Sequence, residues 1–358
     1  MNDHETTKRG RRAAHEVLAS LRRPKLVNVL GLVFVGLIAV WLLVNLVREP
    51  SDFFQVAVIG LTNGSVYALV ALGYTLVYGI LQLINFAHGD VFALGGLVSA
   101  SLILDLFDVG AGSSTTAIAI AIGGSLLLAV AFSSTLNTTV ELVGYRRLRN
   151  APRLAPLITA VGMSFILQNV GLYFWGPNYT SIEPLISGQP AFTIGGVEFQ
   201  WDNLVMIMLT VPLLLGLTWL VTSTRQGKAM RATSQDMEAA AMMGINVNRT
   251  ISFTFALAGG LAGAAGLIYV LQFTTIRFDQ GFQLGLIAFT AAVLGGIGNL
   301  AGAVLGGVLI GFVEAFSDGL TWLTPGANWT RSIVFALLIA VLVFRPEGLL
   351  GERTPEGA

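Results

Sequence analysis

The sequence contains no cysteine, which excludes disulfides, thiolate metal sites and cysteine nucleophiles and leaves the redox compartment open. Charge is also scarce. Only 11% of its 358 residues are Asp, Glu, Lys or Arg, against about 25% in an ordinary soluble domain. Acidic and basic residues number 20 each, so the overall balance points to no nucleic acid or other strongly charged partner. No Gly-x-x-x-x-Gly-Lys-Ser/Thr occurs, since Gly227-Lys228 is followed by Ala229 and lacks the earlier glycine. The chain therefore has no phosphate-cradling loop of its own with which to hydrolyse ATP. It also lacks His-Glu-x-x-His and Gly-x-Ser-x-Gly, which leaves an intramembrane enzyme without obvious catalytic residues. No catalytic group, metal ligand set or cofactor site is read in the chain.

What it does have is apolar length. Hydrophobic residues make up 54% of the chain, mean hydropathy is +0.75, and apolar runs near the roughly 18–20 residues that cross a bilayer recur throughout. The fold class read from this is all-α, a polytopic integral membrane protein of eight to ten helices. An outer-membrane barrel would need alternating segments of about ten residues, and none are visible. The 42 glycines include pairs at helix-packing spacing: Gly60/Gly64, Gly259/Gly263, Gly302/Gly306 and Gly307/Gly311.

Residues 1–25 form a basic tail with Lys8, Arg9, Arg11, Arg12, Arg22, Arg23 and Lys25. Residues 8–23 suit either an amphipathic surface helix or an unstructured tail. The apolar run that follows lies in 26–50 and ends in Val47-Arg48-Glu49-Pro50. A signal peptide would have a shorter run and a small-residue cleavage site, so an uncleaved transmembrane helix is expected. Further apolar stretches fall near 53–82, 91–106, 116–140, 154–175, 203–223, 251–272, 284–298, 301–316 and 331–345. The connections near 142–153 and 224–250 are the most basic, while 176–202 has no lysine or arginine. The positive-inside rule puts the first two in the cytoplasm, the third outside and both termini in the cytoplasm. The count of crossings then requires 284–316 to return to its starting side, as two short helices reversing at 295–302, a hairpin or re-entrant pair. Broken segments at 53–106 and 284–316 fit the repeated architecture of many transporters.

Between two apolar runs, Glu238-Ala239-Ala240 is followed by Gly244. Helix formers fill 236–243, Ser234 is placed to cap the start and Gly244 to end it. So short a helix needs something to pack on, and Ala239, Ala240, Met242 and Met243 offer an apolar ridge. An ordinary amphipathic connector and a coupling surface both fit these residues. This loop, the segment Gly60–Asp90, Phe289–Gly298 (Phe-Thr-Ala-Ala-Val-Leu-Gly-Gly-Ile-Gly) and Arg345–Gly351 (Arg-Pro-Glu-Gly-Leu-Leu-Gly) resemble the permease family of branched-chain amino-acid ABC importers, specifically its H-type (LivH-like) subunit. The resemblance runs in order from about Phe53 to Gly351. It implies a permease domain at 53–351 preceded by an additional helix and followed by a tail at 352–358.

The resemblance implies a subunit in the cell membrane, multi-pass in the lipid bilayer, whose solutes are leucine, isoleucine and valine. The same family also serves urea, short amides and other amino acids. The implied partners are a second related permease, two ABC ATPases that bind the ATP, and an extracytoplasmic solute-binding protein. Glu238, Ala239, Ala240 and Gly244, with Arg231 and Asp236, are then the coupling residues. The chain departs from the wider importer pattern where an Ile-x-Leu-Pro would follow Gly244; it has Thr254-Phe255-Ala256-Leu257. An ion-coupled secondary transporter is the reading from another class; it too accounts for the broken helices.

Polar residues within the apolar runs are candidates for the pathway or a gate: Asn63, Asn85, His88, Asp90, Gln168, Asn169 and Asn299. Each has a structural alternative. Asp90 suits the cap of a helix beginning near Val91, Asn85 and Gly89 suit a turn, and amides within spans also serve as glue between helices. Glu314, near the end of its stretch, reads as a solvated helix end.

Overall fold

The computed structural model describes residues 26–148, 151–152, 154–186, 188–345 and 347–351. The basic tail 1–25, the tail 352–358, Arg149 and Arg153 lie outside the described residues. Twelve helices are found among the rest: α1 (Leu26–Arg48), α2 (Pro50–Leu81), α3 (Ala87–Ser101, continued by a π turn at Leu102–Leu106) and α4 (Thr115–Val140, continued through Glu141–Tyr145 and Arg146–Leu148). They continue as α5 (Leu154–Trp175), α6 (Trp201–Ser223), α7 (Arg225–Gln235), α8 (Met237–Met242), α9 (Val247–Phe273), α10 (Gln280–Gly295), α11 (Leu300–Gly319) and α12 (Ala327–Phe344). Eight of them, α2 to α6, α9, α11 and α12, are long and apolar enough to cross a membrane. Helices are the expected form, because in hydrocarbon every backbone donor and acceptor must be satisfied within the segment.

Burial separates a rigid centre from a lipid-facing rim. The apolar stretch of α9 is 89% buried and that of α2 78%, against 22% for α4, α5 and α6 and 11% for α12. Lipid tails are as apolar as leucine, so the centre is held by close packing instead of by the expulsion of water. The glycine pairs supply it. A side chain at Gly311 would meet the backbone of Gly64, and one at Gly307 the backbone of Ala68, which seats α11 directly on α2. Gly259 and Gly263 face Ser133 and Ala129 of α4, while Gly302 and Gly306 face Gly295 and Ala291 of α10.

The two ends of the bundle are distinct. At one, which we call the ribbon end, β1 (Thr180–Ser181) pairs antiparallel with β4 (Thr275–Ile276), and β2 (Pro190–Ile194) with β3 (Val197–Gln200). Here Gln55 bonds both backbone groups of Glu198. Asn45 and Trp41 of α1 bond the backbone of Trp322 in the connection from α11 to α12. At the opposite, basic end Tyr145 donates to Asn85 at 3.1 Å. The backbone of Leu349 and Leu350 bonds Leu294 and Gly295 at the tip of the α10–α11 hairpin. The hairpin expected at 284–316 is thus present, with its turn at Gly296–Asn299, where Gly296 and Gly298 both hold positive φ. Its second arm, α11, has full spanning length.

The break after α2 differs in position from its expected place at Asn85–Asp90. The chain leaves α2 at Gln82, in the left-handed region at φ 53°, and re-enters helix at Ala87. Asp90 is therefore the fourth residue of α3 and does not cap a helix beginning near Val91. Ala87 and His88 are fully buried and helical, so packing extends the helix one turn earlier than the polar residues indicate.

We expect Gly311→Leu to destabilise the detergent-solubilised protein by at least about 2 kcal/mol, because the new side chain meets backbone that has nowhere to move. Gly112→Leu, in a loop with open space around it, should leave the melting temperature unchanged. Equal effects of the two would refute the packing argument.

Candidate coupling surface and polar interior

The charged loop after α6 folds as a helical elbow. Thr224 caps α7 by accepting from the Gly227 backbone N–H at 3.1 Å. Arg231 donates to the carbonyl of Val221 and so fastens α7 to the end of α6. Ser234, expected to cap the second helix, lies inside α7 and donates to the Arg231 carbonyl. The cap is Asp236. Its extended backbone ends α7, and its carboxylate accepts from the N–H groups of Glu238 and Ala239 at 2.8 and 2.9 Å. An Asp at that position satisfies two orphan donors and complements the helix dipole.

α8 is six residues long. It ends with two reverse bonds, Gly244 N–H to Ala241 C=O and Ile245 N–H to Ala240 C=O, with Gly244 at φ +84°. This is the αL termination that glycine makes without strain. Ala240 and Met237 turn inward. Glu238 is exposed, and Met242 and Met243 are 82% and 84% exposed. The elbow presents two flexible apolar side chains and a carboxylate at the basic end, with a rigid attachment behind them.

The interior candidates are dispersed. His88 is fully buried in a space left by Gly73, its ring 4.8 Å from that of Tyr74. The Val70 backbone approaches its imidazole without closing a hydrogen bond. Asp90 is fully buried on a different face of α3. Ser164 and Gln168 of α5 approach its carboxylate without closing a hydrogen bond, so Asp90 and Gln168 meet while His88 stands apart. Asn85 bonds Tyr145 and Asn137, and Asn137 in turn donates to the Phe255 carbonyl at 2.7 Å. Asn63 is buried in α2 with an unpartnered Oδ1. Asn169 lies on an apolar outer groove beside Phe165 and Tyr173. Asn299 caps α11 through the Gly302 N–H and donates to the Leu350 carbonyl.

The chain matches a family model described as the branched-chain amino acid transport system / permease component over residues 56–342. It belongs to that family. BraD of Pseudomonas aeruginosa, named a high-affinity branched-chain amino acid transport system permease protein, is 39% identical over 86% of this chain and 99% of its own length. LivH of Escherichia coli K12, named likewise, is 37% identical over 85% and 97%. The ribose import permease protein RbsC of Escherichia coli K12 is 27% identical over 86% and 92%. The matched model begins at residue 56, so α1 precedes it.

Two polar features of this permease escaped sequence reasoning. Glu141 is fully buried at the basic end of α4. Arg146 grips it through Nε and Nη2 at 3.2 and 3.0 Å, and Ser252 of α9 donates to it at 2.7 Å. The sequence shows the arginine only as one of a basic group. The pairing depends on the π turn that places residue 146 over residue 141. Glu314, expected as a solvated helix end, is instead half-buried and accepts from the Tyr67 hydroxyl at 2.6 Å. Tyr67 is itself buried, and no sequence pattern links two residues 247 positions apart.

Removing Arg146 should be costly, because it takes two charge-assisted bonds from a fully buried carboxylate. Arg146→Ala is expected to lose about 3 kcal/mol in denaturant titration, and Glu141→Gln combined with Arg146→Ala to recover most of that. A double variant no more stable than the single would show that charge is not the cause.

Proposed function

We propose that this permease forms part of the pathway for leucine, isoleucine and valine in an ABC importer, working by alternating access with energy from separate ATPase subunits. The observation that supports it most directly is the α7–α8 elbow. A capped, firmly attached short helix with two exposed methionines needs a partner surface, and the chain has no phosphate-binding loop of its own. Two ATPases binding ATP at the basic end supply both. On this reading the basic end and both termini are cytoplasmic, and the ribbon end faces the extracytoplasmic solute-binding protein. A second, related permease completes the pore. The chain itself holds no cofactor.

The solute follows from the relatives at 37–39% identity, both named for branched-chain amino acids. The ribose permease at 27% shows that the architecture also occurs in a protein named for a sugar, so measured affinities of the associated binding protein decide the solute. Uptake that survives inactivation of the ATPases and follows an ion gradient would instead establish an ion-coupled carrier.

Glu238→Lys and Gly244→Pro test the elbow. The first reverses its exposed charge, and the second installs a residue whose fixed φ near −65° is incompatible with the +84° observed. Each should lower ATP-dependent leucine uptake at least about ten-fold, equivalent to about 1.4 kcal/mol of coupling. Both should reduce co-purification of the ATPases while the variants remain folded in the membrane. Unchanged association and uptake in both would remove the coupling assignment.

A further inference from the structure

At the ribbon end a cleft of about 240 Å³ opens between α2, α9, α10, α11 and α12. None of the seven polar candidates read from the sequence lines it. Its charged groups sit on two helices. Glu314 and, one turn on, Asp318 come from α11, and Arg331 comes from α12. Among the described residues, neither carboxylate pairs with Arg331 or any other cation. A half-buried carboxylate in an apolar helix is expensive unless its lone pairs are used. Glu314 has one bond, from Tyr67, against roughly four acceptor sites.

Thr330 gives an independent indication. It lines the same cleft, it is nine-tenths buried, and its hydroxyl has no hydrogen-bond partner. Ile287 and Val334, both buried, form part of an apolar wall. The volume falls below the 300–1,000 Å³ of drug-sized pockets and suits a smaller molecule.

We propose that this cleft is the permease's own binding site for a zwitterionic α-amino acid, with the ammonium at Glu314, the carboxylate at Arg331 and Thr330, and the side chain against Ile287 and Val334. Acid and base that do not neutralise each other match a ligand carrying both charges, and the apolar wall beside them matches its side chain. The assignment rests on the proposed amino-acid function and on the ribbon end facing outward. It adds a location and a chemical rule, recognition of both charges.

The test uses the complete importer reconstituted in proteoliposomes with loaded binding protein and ATP. Glu314→Gln retains an oxygen for Tyr67 while losing the charge, and Thr330→Val retains the shape while losing the hydroxyl. Because hydrogen bonds to a charged group are the stronger ones, Glu314→Gln should slow leucine uptake about ten-fold or more. Thr330→Val should slow it about three-fold, with ATPase co-purification retained in both. If Glu314→Gln does not assemble, Arg331→Gln, an exposed position, takes its place with the same ten-fold expectation. Uptake within two-fold of wild type in the assembled variants overturns the site. So does wild-type uptake that depends on sodium and loses that dependence in Glu314→Gln, which would make the cleft a cation site. An assembled wild-type importer that moves no amino acid fails the functional reading itself, a separate result.

Discussion

Close approach of helix backbones at small residues is the constraint on which this bundle depends. A bilayer provides no hydrophobic drive between helices, so association must come from dispersion and short polar contacts, both steep in distance. Gly64 against Gly311 and Ala68 against Gly307 bring α2 and α11 near enough for backbone to touch backbone. Gly95 with Gly263, and Gly96 with Gly266, do the same for α3 and α9. The centre so formed is dense and offers little space for a side chain to change position. Motion in such a protein is therefore expected at the rim and at the ends.

The ends solve a second problem. Where helices stop, backbone groups lose their partners, and the structure answers repeatedly with carboxamide side chains. Asn45 bonds both backbone groups of Trp322, Gln55 those of Glu198, and Asn299 caps α11 while holding Leu350. These contacts tie segments distant in sequence, and they set α1 against the connection between α11 and α12. The helix that precedes the matched family region is thereby fastened to the lip of the cleft.

The spans, the glycine contacts and the α10–α11 hairpin were legible because each has a local signature: apolar length, residue spacing, or a Gly-rich reversal. Helix starts were less so. The polar run Asn85–Asp90 reads as a turn, yet His88 and Asp90 enter α3 because the space beside Gly73 and the face of α5 accept them. Ser234 read as the cap by residue type, whereas the extended backbone at 236 gives that role to Asp236. Least legible were pairs that depend on tertiary approach, such as Glu141 with Ser252 and Tyr67 with Glu314. Their partners lie 111 and 247 residues apart in the chain, and no periodicity links them.

One helix joins the elbow to the cleft. α9 begins just after α8, capped by Asn246, and runs 27 residues to Phe273, about 40 Å at 1.5 Å per residue. Near its start Ser252 touches the Glu141–Arg146 pair, and near its end Tyr269 and Phe273 line the cleft. It is also the most buried of the spans. A rod of that length, packed through glycines against α3 and α4, does not bend to absorb a push at one end. Force applied at Met242 and Met243 would move α9 as a unit or move the less buried helices α5, α6 and α12 around it. α12 carries Arg331 while α11, seated on the rigid centre, carries Glu314. Displacement of α12 alone would therefore change the distance between Glu314 and Arg331, the geometric change that release from the proposed site would need.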